Sequence, residues 1–344
     1  MRHNRFIYLL LCGVALLTTG CRKELVYEPE EVVPGYRMEL DIDWTLEWEL
    51  GGDGFNWSED WATGGFDEDY DYYRPAKPEG FGVILYDLPD NDYTYSREMH
   101  LSTAGDARIS VDESTRALLF YSDDSEYITV SDVSAPHTAY ASTNTRTRST
   151  FSKLHSEERT VAPPDILYGA YLEIDGLQQR EGYQNYKVNF RPLVYGYVIR
   201  FAIDANREYI SQARGALAGM AEGIYLKDGR TSDTAVTMLF DCDLKSYGVG
   251  TQVMTFGVPG HSLEDGVRAD ENSDRRYDAN LEILLKNGKM LNYNFDVTDQ
   301  VRRQPRGGVI FLSDIEIPDD VAKEPNSGFI PSVDEWGDMI DIDL

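Results

Sequence analysis

Alternation of apolar and polar residues marks the first clear β-strand. From Met38 to Leu50 every second residue is apolar, and the residues between them are polar and mostly acidic. This period of two predicts a half-buried strand with one face in a core and one face in solvent. No long helical periodicity follows, so we expect residues 36–160 to form an all-β domain, a β-sandwich. Its other predicted strands, separated by turn residues, are Phe81–Tyr86, Tyr93–Leu101, Ala107–Val111, Ala117–Tyr121 and Tyr127–Val130.

The second half of the chain continues the β pattern and adds one helix. A hairpin with a type I′ turn is predicted at Asn287-Gly288, between the apolar runs Leu281–Leu285 and Met290–Val297. We therefore expect a second β-sandwich over residues 161–318 and an acidic tail over 319–344 that docks or pairs. Further strands are predicted, with a bend at Pro192 where the apolar phase switches, at Ile166–Ile174, Tyr186–Ile203, Ala235–Phe240 and Val309–Ile317. One short amphipathic helix is predicted from four apolar residues at helical spacing, namely Ile210, Ala213, Leu217 and Met220.

The amino-terminal residues have the features of an export signal that ends at a cysteine. Arg2 and Arg5 precede an apolar run over 6–17 that is short for a membrane span. The following Thr-Thr-Gly before Cys21 resembles the lipobox of bacterial lipoproteins. The resemblance implies a signal peptide over 1–20, acyl chains such as palmitate on Cys21, and a spacer over 21–35. The alternative is an ordinary secreted protein in which Cys21 is incidental.

Charge and cysteine content exclude several classes of protein. The formal net charge is −28, and residues 39–92 alone hold sixteen acidic residues against Arg74 and Lys77. This excess argues against nucleic-acid binding, which requires basic residues to displace counterions from phosphates. Cys12 would leave with the signal and Cys21 would be lipidated, so we expect no internal disulfide. We interpret Cys242, between two aspartates, as a small core hydrophobe.

Catalytic and metal-binding motifs are not found in the sequence. It contains no HExxH, CxxC, GxSxG or phosphate-binding glycine loop, and its five histidines are scattered. We therefore expect no catalytic residues, no cofactor, no metal and no enzymatic activity. A pair of glycosidase carboxylates stays open as an alternative, because nothing singles out two of the many acidic residues.

A long segment over 53–78 is rich in acidic and aromatic residues, and its length hints at a role. Its acidic cluster over 67–71 raises a calcium hypothesis, but the spacing lacks the glycine and glutamate of an EF-hand, so a solvated loop is favoured. The aromatic residues either cover the end of the sandwich or stack on sugar rings. These candidate ligand-binding residues are Trp57, Trp61, Tyr70, Tyr72 and Tyr73.

Several stretches, in this order along the chain, resemble one family. They are the ending at Cys21, the strand Met38–Trp48, and the runs Val188–Tyr195, Ala213–Ala221, Phe295–Val301 and Val333–Gly337. Together the mature chain resembles the fimbrillin-like lipoproteins of Bacteroidales. The resemblance implies two tandem transthyretin-like β-sandwich domains and a role as anchor or accessory subunit of a surface fimbria. It also implies that subunits join by strand pairing.

The sequence thus predicts a lipid-anchored outer-membrane protein for cell adhesion. Its expected partners are the membrane, through lipid on Cys21, and other fimbrial or surface proteins. The alternative is a surface glycan-binding lipoprotein that uses the five aromatic residues of the 53–78 segment. Display at the cell surface is expected, and the periplasmic leaflet stays open because Arg22-Lys23-Glu24 is a poor version of the family's acidic export signal.

Overall fold

The computed structural model describes residues 35–52, 54–89, 92–147, 154–262, 274–325 and 339–342. Strands dominate these residues, as predicted. The strands of the first half are β1 (Tyr36–Trp44), β2 (Gly80–Asp87), β3 (Thr94–Ser102), β4 (Ala107–Val111), β5 (Thr115–Ser122), β6 (Ile128–Ser131), β7 (Tyr140–Thr143), β8 (Arg159–Val161) and β9 (Tyr168–Glu173). Those of the second half are β10 (Gln184–Pro192), β11 (Tyr195–Ala205), β12 (Ile210–Ala221), β13 (Gly223–Tyr225), β14 (Ala235–Lys245), β15 (Gly248–Thr255), β16 (Asp278–Leu285), β17 (Met290–Asp296), β18 (Gly308–Glu316) and β19 (Met339–Ile342).

Helices are short in the described part of the chain. The α-helices are α1 (Trp57–Asp60), α2 (Thr298–Arg303) and α3 (Asp319–Ala322), and single 3₁₀ turns lie at Trp61–Thr63, Tyr70–Tyr73 and Arg207–Tyr209. None of the helices in these ranges has both the length and the apolar character needed to cross a bilayer.

The strands form two large sheets and one small one. The first large sheet has the order β3-β2-β5-β9-β10-β1-β4, and the second has the order β18-β11-β15-β14-β12-β16-β17-β19, with β8 paired to β14. The small sheet has the order β13-β7-β6. Most neighbours are antiparallel, but β1 runs parallel to β10 and β11 runs parallel to β18. The predicted all-β architecture is confirmed, and most of its strands belong to two large sheets.

Alternating residues of the central strands enter separate cores. In β2, Phe81, Val83 and Leu85 pack into the core of the first sheet. The intervening Ile84 and Tyr86 pack into a second core. That second core also contains residues of the small sheet and of β12 and β13. The first sheet is therefore covered on both faces along β2.

The predicted strand from Met38 to Leu50 is shorter in the structure. β1 ends at Trp44, and the alternation beyond it continues without a sheet. Leu46 packs against the first core, whereas Trp48 joins a different, aromatic cluster. The alternation of acidic and apolar residues therefore reflects burial in two successive clusters, the first core and the aromatic cluster, and not one continuous strand.

The predicted helix over 210–220 is wrong, because these residues form β12 in the interior of the second sheet. Two register irregularities explain the misleading spacing, one between Ile210 and Gln212 and one between Leu217 and Met220. A bulge shifts the side-chain phase by one residue, so a spacing of three can return to the same face of a strand. The small residues of β12 fit the close packing of its neighbours, since a Cβ on Gly215 would lie 2.5 Å from the Phe240 ring.

The predicted domain boundary between residues 160 and 161 does not match the sheets. β9 and β10 follow that boundary but belong to the first sheet, while β8 spans it and pairs with β14 of the second sheet. The change of sheet comes at Pro192, where β10 ends and the chain enters β11. The predicted bend at Pro192 is thus the end of a strand, and the single strand predicted over Tyr186–Ile203 is two.

The hairpin of β16 and β17 is confirmed, but its turn type is not. The backbone N–H of Gly288 donates to Leu285 O at 2.9 Å, and Gly288, not Asn287, takes a left-handed φ of +86°. This is the three-residue loop with a glycine bulge rather than a type I′ turn, which needs two left-handed residues. Within the tail, Met339–Ile342 pairs in parallel with β17, as expected.

Candidate functional site

The segment between β1 and β2 folds into an aromatic layer on the second sheet. The strands beneath it are β11 and β18, which contribute Val198, Val309 and Phe311 to the same cluster. We define the aromatic layer as Trp48, Phe55, Trp57, Trp61, Phe66, Tyr70 and Tyr73. The long segment between β1 and β2 thus covers one face of the second sheet.

Trp48 is the centre of the aromatic layer and is completely buried. Its ring centroid lies 5.9 Å from that of Trp61, 5.2 Å from that of Tyr70 and 5.7 Å from that of Tyr73. The Trp61 ring in turn stacks on Phe66 at 3.9 Å. The tilted and edge-on contacts of Trp48 are arrangements that aromatic quadrupoles favour.

A buried glutamine connects the aromatic layer to β18. The Trp57 indole N–H donates to Gln304 Oε1 at 2.7 Å, and the backbone N–H of Val309 donates to the same oxygen at 2.8 Å. Gln304 Nε2 donates to Val309 O at 2.9 Å. Gln304 is 2% exposed, so its amide satisfies polar groups that water cannot reach.

The acidic residues of the segment have separate partners. Asp67 accepts from the backbone N–H of Ser246 at 2.7 Å and from its hydroxyl, and these bonds hold the pKa of Asp67 below its ordinary value. Glu68 pairs with Lys245, and Asp71 pairs with Arg74 at 2.7 Å. Across the ranges that the structure covers, no three metal-ligating side chains converge. The carboxylates fasten the segment to the β14–β15 turn and to itself.

The structure separates the five predicted ligand-binding aromatic residues into two groups. Trp57, Trp61 and Tyr73 are 5%, 8% and 8% exposed, so their rings are covered by protein and unavailable to a sugar. Tyr70 is half-buried with its hydroxyl donating to Glu49 at 2.9 Å, and only Tyr72, at 69%, is open to solvent. The three buried rings thus pack as the covering alternative expects. Cys21, the predicted lipidation site, lies outside the described residues.

A second polar cluster surrounds His155, whose two ring nitrogens both have carboxylate partners. Nδ1 lies 2.6 Å from Glu158 Oε1 and Nε2 lies 2.9 Å from Asp278 Oδ2, so each ring nitrogen is hydrogen-bonded to a carboxylate. Burial alone would lower the pKa of His155, but the two hydrogen bonds raise it above the ordinary value. With a carboxylate oxygen at each ring nitrogen, the imidazole has no nitrogen left over with which to accept a proton from a substrate.

Cys242 and the strand edges are two further features about which the sequence made a prediction. Cys242 is half-buried and packs against the core of the second sheet, as its interpretation as a hydrophobe requires. In the described part of the chain the outermost strands of the large sheets are β3, β4, β18 and β19. Of these, β3 is mostly exposed along its length.

Sequence reasoning missed a cleft beside Trp44, at the end of β1. It predicted Trp44 correctly as a core residue of a strand, but it gave no sign that a neighbouring strand stops short of it. β4 pairs with β1 only as far as Leu40 and Ala107. This opening depends on where two strands of different length meet, which no local pattern encodes.

Solved structures of other bacterial proteins are similar to this architecture. A candidate adhesin from Bacteroides ovatus ATCC 8483 has 16% sequence identity and a TM-score of 0.51, over 83% of this chain and 93% of its own. A candidate cell adhesion protein from Bacteroides eggerthii DSM 20697 has 9% identity and a TM-score of 0.44, covering 90% and 93%. The fimbrial anchor protein Mfa2 from Porphyromonas gingivalis has 11% identity and a TM-score of 0.39, covering 80% and 90%. The first likeness shows a shared fold.

At the level of fold, the family resemblance predicted from the sequence is confirmed. No curated protein matches the chain by sequence. A family profile, however, matches residues 67–241, which is half of the chain. The chain therefore belongs to the family described as Domain of unknown function (DUF5119).

Proposed function

We propose that this protein is a lipid-anchored surface protein that serves as the anchor or accessory subunit of a fimbria or adhesion structure. Acyl chains on Cys21 hold it in the outer membrane, and residues 21–35 form a spacer. The two large sheets then present their edges to other subunits. The role is structural and non-enzymatic.

The observation that carries this proposal is the fold shared with the candidate adhesin of Bacteroides ovatus, over 83% of this chain. The lipobox-like ending at Cys21 supports the anchoring part, because a cysteine after small residues at the end of a signal is a specific pattern. Two or three acyl chains make membrane attachment lasting. The finer assignment of each domain as a transthyretin-like sandwich belongs to the same proposal.

Strand pairing is the proposed mode of contact with other subunits. An extended segment of one subunit adds to the open edge of another subunit's sheet, and main-chain hydrogen bonds supply the affinity. β3 offers such an edge, because among the described strands β2 pairs with it on one side alone, and on the other side the backbone N–H of Tyr95 bonds to Ser134 O. Its side chains are mostly exposed, so no described core has to open first.

Metabolic labelling with an alkyne analogue of palmitate tests the anchor. We expect the wild-type protein to be labelled and to fractionate with the outer membrane. Cys21→Ser should lose both properties, whereas Cys242→Ser, at the other cysteine of the mature chain, should keep them. Label retained in Cys21→Ser would overturn the assignment of the lipidation site.

Deletion of the gene tests the role in the assembly. We expect altered length or retention of surface filaments, restored by the wild-type gene and not by Cys21→Ser. Protease treatment of intact cells then tells the two leaflets apart, since only a surface-displayed protein is digested. Unchanged filaments would contradict the fimbrial role.

A further inference from the structure

The short strand β8 pairs along one side of β14. Val236 and Met238 of β14 each pair with β12 on one side and with β8 on the other. β15 joins β14 only further along, at Asp243–Lys245. Because β8 spans three residues, it supplies few main-chain hydrogen bonds, and its position on β14 depends on the side chains around it.

Two contacts that need no titratable cation hold β8 against the second sheet. Val161, its last residue, is completely buried in the core of that sheet. Just before β8, Glu158 Oε2 accepts the Thr237 hydroxyl at 2.7 Å and the backbone N–H of Gly219 at 3.0 Å. Thr237 lies on β14 and Gly219 on β12, so one carboxylate oxygen joins the approach to β8 to two strands of the sheet.

A third contact runs through His155 and depends on the protonation of its ring. Nδ1 faces the second oxygen of Glu158, and Nε2 faces Asp278, the first residue of β16. The side chains of His155, Glu158 and Asp278 are only 21%, 13% and 10% exposed, so water screens their charges weakly. An ionised carboxylate can only accept hydrogen bonds. Both contacts are therefore hydrogen bonds at the same time only when both ring nitrogens carry a proton.

On the β16 side of this triad a second cation is already present. Arg276, just before β16, bonds to Asp278 Oδ1 at 2.9 Å and lies 3.6 Å from Asp296 of β17. Asp278 therefore keeps a cationic partner whatever the charge of His155.

On the β8 side, His155 is the cation that pairs with Glu158 in the described part of the chain. The other Glu158 oxygen bonds to the neutral groups of β12 and β14. The neighbouring Arg159 pairs with Glu222 at 2.8 Å, and burial raises the pKa of the nearby Tyr277 phenol, so that phenol stays neutral. An uncharged His155 would thus leave the Glu158 carboxylate without this counter-charge.

We propose that His155 is a pH-sensitive latch that ties the start of β8 to β16 while both ring nitrogens are protonated, and that loss of one proton loosens β8 on β14. In a neutral imidazole one nitrogen presents a lone pair, which repels the carboxylate oxygen that it faces. Either the Glu158 contact or the Asp278 contact is then lost. Val161 stays in the core, so we expect more frequent local opening of β8 and not unfolding of the sheet.

The direction of the pH effect follows from the pKa of His155. Burial lowers this pKa, but the hydrogen bonds to Glu158 and Asp278 outweigh burial and raise it above its ordinary value of about 6.5. A group with a raised folded-state pKa stabilises the fold fully below its unfolded-state pKa. The contribution is lost as the pH rises through the folded-state value. β8 should therefore be held tightly in mild acid and loosened in alkali.

The latch bears on which strand edges are open to other chains. β8 occupies the side of β14 that faces away from β12, and an uncovered strand edge is a template for pairing with another chain. Loosening β8 would thus expose part of such an edge. This consequence rests on the strand pairing proposed above, but the latch itself does not. Measurements on the purified full chain can therefore support or overturn the latch independently of the labelling and filament experiments.

NMR titration of the histidine rings in the full chain tests the protonation state. We expect the ring-nitrogen signals of His155 to show two protonated nitrogens at pH 6, and its titration midpoint to lie above the ordinary value of about 6.5. The set of signals that disappears in His155→Gln identifies the residue. A midpoint at or below the ordinary value, or a ring with one protonated nitrogen at pH 6, would overturn the proposal.

Hydrogen exchange at pH 6 and pH 9, divided by the intrinsic exchange rates, tests the loosening of β8. In wild type, the protection of the amides of β8 and of Val236–Met238 should fall about five-fold or more at pH 9, while that of β2 and β5 stays constant. His155→Gln should show the lower protection at both pH values. His137→Gln is the matched control and should behave like wild type, since His137 is exposed and outside the triad.

Two exchange results would overturn the latch. One is the absence of a fall in wild type, and the other is the same fall in His155→Gln as in wild type. If His155→Gln does not fold, the titration and the exchange of wild type decide alone.

Discussion

Replacing Trp48 by alanine tests whether the aromatic layer is a structural element. The side chain is 0% exposed and contacts the rings of Trp61, Tyr70 and Tyr73. Truncating a buried tryptophan to alanine costs about 3–5 kcal/mol, from lost transfer free energy and from the cavity left behind. An aromatic side chain buries roughly 150–250 Å², which at about 25 cal/mol per Å² gives a similar figure. We therefore expect Trp48→Ala to lose about 4 kcal/mol of unfolding free energy.

Urea unfolding followed by circular dichroism measures this loss, and Tyr72→Ala is its matched control. Tyr72 is an aromatic residue of the same segment, but it is 69% exposed. Its truncation should therefore change the unfolding free energy by no more than about 0.5 kcal/mol. If Trp48→Ala is too unstable to purify, Trp48→Phe keeps a ring in the site and should give a smaller loss in the same direction.

Hydrogen exchange locates the effect. In Trp48→Ala the backbone amides of residues 54–73 should exchange faster, while those of β2 and β5 in the first sheet should keep their protection, since local openings follow local packing. A loss within about 1 kcal/mol of that in Tyr72→Ala, with unchanged exchange, would refute the packing role. The segment would then have to be explained as a ligand platform after all.

Three further predictions concern ion pairs, acid stability and the hairpin. Arg214→Met should cost about 3–5 kcal/mol of unfolding free energy, because it removes the cation facing Glu282, which is 0% exposed. The double variant with Glu282→Leu should recover most of this loss. Additive losses in a double-mutant cycle would contradict the prediction. Asp67 has a lowered pKa, so its stabilising effect is present above the unfolded-state pKa of about 3.9 and is lost as the pH falls through the folded-state value. The stability difference between wild type and Asp67→Asn should thus shrink on acidification, and a difference that grows in acid would count against it. Gly288→Ala should cost about 1–2 kcal/mol, since Gly288 has a φ of +86°; an unchanged Tm would contradict this.

The elements that local patterns predicted well are those with local partners. The hairpin of β16 and β17 pairs Leu284 with Met290 across a tight loop, and the signal for it lies within a few residues. The predicted domain boundary between residues 160 and 161 does not coincide with the change of sheet, because sheet membership depends on distant pairing, such as Met38 of β1 with Gln184 of β10. Parallel neighbouring strands are joined by a long crossover connection, and the sequence of neither strand identifies its partner.

The candidate site shows the same limit. Sequence alone identified the aromatic residues of the 53–78 segment but left packing and ligand binding as alternatives. For Trp57 the evidence for packing is Gln304, which accepts its indole N–H at 2.7 Å and lies 247 residues further along the chain. The cleft at Trp44 depends in turn on the length of β4, which was predicted correctly as Ala107–Val111 but without its register on β1.

The position of β1 has a mechanical consequence for a tethered protein. If lipid on Cys21 anchors the chain, a pull from that end reaches the described residues at Gly35, which bonds to Arg180, and then at β1. β1 is not an edge strand: β4 pairs with it on one side and β10 on the other, and Met38 through Leu40 have neighbours on both. A load along β1 must therefore break two hydrogen-bonded ladders together rather than peel off one edge. The same arrangement places the cleft at the far end of β1, where β4 no longer covers it.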